Sequence, residues 1–62
     1  GGRASTYENE LQEAARTAVG EMCGRAGQMG ANAVVGVHVD YFTAGADNGM
    51  LAAIATGTAV II

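Results

Sequence analysis

Cys23, His38, Asp40, Asp47, Met22, Met29 and Met50 are the side chains of this 62-residue chain that could hold a metal ion. Soft cations favour thiolate and thioether sulfur, and zinc or copper accept imidazole. No Cys-x-x-Cys is present and His38 is the only histidine, so one copy cannot build a closed Cys/His site. A ring of copies can, because its axis repeats each side chain in every subunit. His38 and Asp40 stand two apart in a strand-forming run, which points both toward one face. The metal reading therefore places zinc or copper on His38, Asp40 and Cys23 repeated around an assembly. The same residues also have a structural reading. His38 is then a polar residue on the wetter face of a strand, Cys23 a small apolar group at the edge of a helix stripe, and Met22 and Met29 packing residues.

Other chemistries find less support. A nucleophilic pair needs a base within reach of Ser, Thr or Cys, and nothing in the spacing brings His38 to Cys23. The helix glutamates read as a solvated face, so no enzyme activity is expected. Gly24-Arg25-Ala26-Gly27 matches a Gly-x-x-Gly loop but lacks the basic frame that a nucleic-acid module carries. The net charge of −3, with three arginines and no lysine, argues against nucleic-acid and anionic-membrane surfaces. The longest weakly polar run, Gly49 to Ile62, is shorter than the roughly 20 residues of a spanning helix. No signal-peptide pattern is visible, and one unpaired cysteine fits a reducing compartment. The expected location is cytoplasmic.

Three elements must position these residues. Ser5-Thr6-Tyr7-Glu8 reads as a capping box, opening a helix that runs to about Met29. Tyr7, Leu11, Ala14, Ala15, Ala18, Val19, Met22, Ala26 and Met29 fall on its apolar stripe. Glu21 and Arg25 are spaced for an ion pair, and Gly30 is placed as a left-handed stop. Gly20, Gly24 and Gly27 share the opposite face, read either as a weak solvated surface or as a groove for another helix. Ala33 to Phe42 is a strand. Its alternation puts Val35, Val37, Val39 and Tyr41 on one face, the one expected to meet the helix. Val34, Gly36, His38, Asp40 and Phe42 take the other, and Gly36 suggests a bulge or a close neighbour. Thr43 to Gly49 is turn chemistry, strongest at Asn48-Gly49. Met50 to Ile62 returns antiparallel. The fold class is α+β: one helix followed by an antiparallel hairpin, in a single domain over residues 1–62.

Both faces of the second strand are apolar, and one helix covers only one of them. Half of the residues are hydrophobic and 15% are charged, and a chain this short is marginal as a monomer. Self-association follows, with Val34, Ile54, Val60 and Ile62 as the expected inter-subunit contacts. The apolar end Ala59-Val60-Ile61-Ile62 must also be buried. The start at Gly1-Gly2 without Met suggests a processed, tagged or truncated product.

Tyr7-Glu8-Asn9-Glu10-Leu11, the block Gly30-Ala31-Asn32-Ala33-Val34-Val35-Gly36-Val37, and the ending Gly57-Thr58-Ala59-Val60-Ile61-Ile62 together resemble the YbjQ-like family, labelled "putative heavy-metal-binding". The resemblance covers nearly the whole chain. It implies a dodecin-like two-layer module assembled into rings, commonly pentamers, and no catalytic residues. It also implies that this chain is the C-terminal part of the family domain, lacking an N-terminal strand region: a fragment, a chain completed by a partner, or a shortened relative. Two functions stand open: a structural, ring-forming homo-oligomeric module, or a metal-binding protein with sites repeated around the ring. A third use is an exposed strand edge that recruits another chain by strand addition.

Overall fold

The structure is a computed structural model that describes the backbone of residues 2–45 and 49–62 and the side chains of 7–43, 45 and 49–62. Its elements are helix α1 (Gly2–Gln28), strand β1 (Ala33–Ala44) and strand β2 (Met50–Val60). The two strands form one antiparallel sheet, and α1 lies on one face of it, mainly over β2. This is the α+β hairpin architecture the sequence implies. Three boundaries differ, one of them the end of β2, which stops at Val60 instead of Ile62. The helix starts at Gly2, so Ser5 is a helical residue rather than a cap; adding a turn to an established helix is easy once it is nucleated. Thr43 and Ala44 extend β1 instead of opening the turn, and Gly45 (φ 96°) follows them. Asp47 and Asn48 lie outside the described residues.

The helix ends where Gly30 permits it. Gly30 has φ 92°. Its N–H donates to the Gly27 carbonyl at 3.0 Å, and the Ala31 N–H donates to the Ala26 carbonyl at 3.0 Å. This is the Schellman pattern, in which a glycine at the left-handed position lets two following amides satisfy the last helical carbonyls. The stop turns the chain back toward the sheet, and Ala26, beneath that turn, is the one buried hydrophobic residue among those described, 5% exposed. The expected Glu21–Arg25 pair does not form. Arg25 instead lies with Met22, Ala26, Met29 and Val34 around a small groove. Arg16 pairs with Glu13 at 2.9 Å. Nothing lies within 4 Å of the positions that Cβ atoms would take at Gly20, Gly24 and Gly27.

A bulge in β1 decides which side chains face the helix. Val35 pairs with Thr58 and His38 with Thr56, so three steps on β1 match two on β2. Gly36, φ 63°, supplies the left-handed residue that such a bulge uses. Strict alternation is therefore broken, which corrects the expected faces. Val34 shares the helix side with Val39, Tyr41 and Thr43. Val35 shares the outer side with His38, Asp40 and Phe42. On the regular strand β2, Leu51, Ala53, Ala55, Gly57 and Ala59 look toward the helix, as their pairing partners require.

Gly57 is the point of closest approach. A Cβ there would sit 2.7 Å from Val34 Cγ1 and 3.3 Å from Met22 Sδ. Gly57→Ala is therefore expected to destabilise by about 1–3 kcal/mol through overpacking. Gly20→Ala, in open space on the helix, is expected to stabilise by about 1 kcal/mol. Urea denaturation of both variants checks the contrast, and Val34→Ala is expected to recover part of the Gly57→Ala loss.

Candidate functional site

The outer face of the sheet carries the chemistry. His38 and Asp40 project from it side by side, Nε2 and Oδ1 3.1 Å apart, both side chains about 70% exposed. Their same-face placement follows from spacing two on an extended strand beyond the bulge. Thr56 lies across from His38 and Ile54 across from Asp40. A ring N–H donated to the carboxylate leaves the other ring nitrogen open. This is the arrangement in which a carboxylate orients a metal-binding imidazole. The pair supplies at most two ligands. Among the described residues no group of three or more His, Cys, Asp or Glu side chains could hold a metal.

Cys23 is not part of this pair. It is exposed on α1 and borders a shallow pocket with Ala26, Gly27, Asn32 and Val34. It belongs to the helical layer, whereas His38 and Asp40 project from the far side of the sheet. Met22 packs toward Gly57, while Met29 and Met50 are exposed.

Around the polar pair the face is apolar and open. Val35, Phe42 and Ile54 are exposed, as is Val37 in the bulge. Of the expected interface residues, Ile54 and Val60 stand on this face, Ile62 lies just past β2 and is 88% exposed, and Val34 is taken up by packing against the helix layer.

Asn32 is a positioning residue that periodicity does not reveal. Its backbone N–H donates to the Val60 carbonyl at 3.0 Å. Its side chain accepts from the Ile62 N–H at 2.9 Å and donates to the Ile62 carbonyl at 3.2 Å. A side-chain amide offers the same donor and acceptor as a peptide group, so Asn32 continues the ladder past the end of β2. The available signal was an Asn placed between a helix stop and a strand.

A family model described as "Putative heavy-metal-binding" (YbjQ) matches residues 1–62. The chain is 63% identical over 60 residues to a UPF0145 protein of Clostridium botulinum (strain Eklund 17B), covering 97% of this chain and 57% of that protein. It is 56% identical over 62 residues to a UPF0145 protein of Listeria welshimeri, covering all of this chain and 56% of that protein. The chain thus spans little more than half the length of these relatives. No solved structure shows a significant match. Among the described residues no helix is long and apolar enough to cross a membrane.

The separation of Cys23 from the His38–Asp40 pair has a direct test. A thiol reagent is expected to titrate Cys23 in the native protein at the same rate with and without saturating zinc. Protection by zinc that disappears in His38→Ala would join the three residues in one site.

Proposed function

Since this chain belongs to the YbjQ family, we propose that it is a non-catalytic structural module whose open sheet face is covered by further copies, closing into a ring in the cytoplasm. The observation that carries this reading is unsatisfied surface. A compact 6.2 kDa monomer exposes about 3,700 Å² by size scaling, whereas this chain exposes 4594 Å². The excess, about 900 Å², is close to what one partner contributes to a stable interface. The radius of gyration is 14.0 Å, against about 10.6 Å for a compact domain of this length. Val35, Phe42 and Ile54 on the sheet's outer face and Ile61-Ile62 at the end of the chain are among the exposed apolar side chains. Contacts between unlike patches on successive copies close a ring when their rotation sums to a full turn.

Ile54→Glu places a charge in the middle of this face, opposite Asp40. It is expected to shift the assembly to smaller species by at least tenfold in dissociation constant, while Gln12→Glu on the exposed helix surface leaves it unchanged. Sedimentation velocity at micromolar concentration checks both. Equal profiles for the two variants would contradict coverage of this face by other copies.

The His38–Asp40 geometry favours a second reading, in which the assembled face binds zinc or copper through residues repeated from each copy, consistent with the family's description. Calorimetric titration with zinc is then expected to give one stoichiometric event per ring or per subunit. His38→Ala is expected to abolish that event while sedimentation stays that of the wild type.

A further inference from the structure

The two layers of this subunit each carry a charge that is left incomplete, and the two charges are opposite. On the outer sheet face, His38 Nε2 lies against one oxygen of Asp40, Oδ1, at 3.1 Å. The second oxygen of Asp40 has no partner among the described residues. On the helix side, Arg25 is exposed and has neither an ion pair nor a side-chain hydrogen bond among those residues. Its place in the last turn of α1 suits the helix dipole but leaves the donors of its guanidinium fork unused. The sheet stands between the two groups, so they do not meet within one chain.

Covering the outer face turns this into a constraint. Asp40 stands among Val35, Phe42 and Ile54, all exposed. A covering surface takes a half-satisfied carboxylate out of water, which is costly unless that surface supplies a donor, best a cation. Among the described residues of a second copy, Arg25 is the arginine free to do so. Arg16 is held by Glu13 at 2.9 Å, and the chain has no lysine. Packing one outer face on another brings apolar cover but no arginine, since neither strand contains one.

Arg25 also comes with apolar surface. It lines a groove with Met22, Met29, Gly57 and Ala59. Through Met29 and Ala59 this groove continues into a second one bordered by Val60 and Ile61. Met29 is 77% exposed and Ile61 76%. The two patches match in kind: a guanidinium beside Met29 and Ile61, and a carboxylate beside Phe42 and Ile54.

We infer, resting on the copy-covered face proposed above, that the Arg25–Met29–Ile61 patch of one copy docks on the Asp40–Ile54–Phe42 patch of the next, with Arg25 paired to the open oxygen of Asp40 across the interface. A guanidinium fork suits a carboxylate at an interface better than a point charge does. The patches are unlike and belong to opposite layers, so the contact is head-to-tail and repeats from copy to copy. Glu8, Glu10 and Glu21 also lack partners among the described residues. They stand on α1, and pairing Arg25 with them would leave the outer face open.

Charge reversal tests this by sedimentation velocity of the protein at micromolar concentration with EDTA present. Arg25→Glu and Asp40→Lys are each expected to raise the dissociation constant by about tenfold or more. The double variant restores the pair with its charges exchanged and is expected to recover most of that loss. Asp40→Lys is the sharper single change. It reduces the net negative charge of −3, so general repulsion between copies would tighten assembly instead of loosening it. Wild-type assembly that Ile54→Glu disperses and Arg25→Glu leaves intact would overturn the inference while keeping the covered face. Weakening by both single changes with no recovery in the double would overturn it too. A wild-type protein that stays monomeric removes the covered face and the inference together. Cross-linking gives a second reading that leaves both charges in place. Gln28→Cys, one turn on from Arg25, and Thr56→Cys, on the outer face opposite His38, are made in separate copies, each with Cys23→Ser. A short bismaleimide is expected to join the two kinds of copy when they are mixed. Links within one kind only, or none in an assembled mixture, would overturn the inference.

Discussion

A helix can bury one stripe and a sheet has two faces, and in this chain that mismatch governs everything else. Close approach of α1 to the sheet is possible because Gly57 leaves space for Val34 and Met22. It is directed by the Schellman stop at Gly30, which reverses the chain over Ala26. Both devices serve the inner face. The outer face receives nothing from within the described chain, and its apolar side chains remain open to whatever molecule completes the module. The hydrophobic effect, at about 25 cal/mol per Å² of apolar surface, favours coverage of that face.

The polar pair on that face acquires meaning from its setting. An exposed histidine beside an exposed aspartate is an unremarkable surface feature in a monomer, where such pairs contribute little to stability. On a face that meets other subunits, the same pair is repeated by symmetry, and a two-ligand fragment becomes a set large enough to coordinate a cation. Assembly and metal binding are therefore not rivals at the level of residues. In the proposed readings metal binding rests on the assembly, and the assembly does not rest on the metal.

The fold class, the three elements and the left-handed Gly30 were legible in the sequence because each rests on local rules: helical periodicity, β-branched alternation and glycine at a helix stop. The side-chain faces of β1 were not, because one inserted residue at Gly36–Val37 reverses the parity of everything after it. Gly36 signalled a bulge, but alternation alone cannot say on which side of it the register is kept. His38 and Asp40 kept their shared face because both lie beyond the bulge. Cys23 looked eligible for their site by chemistry, yet the topology places it in the other layer. Asn32 escaped notice because its role depends on Ile62, thirty residues away, and no local pattern encodes that partner.

Native mass spectrometry of the 62-residue chain tests most directly whether copies of it cover the sheet. The account expects a single defined multiple of the 6.2 kDa chain at low micromolar concentration, present without added metal. A monomer throughout the accessible concentration range would contradict it, and would mean that the open face is covered by something other than this chain.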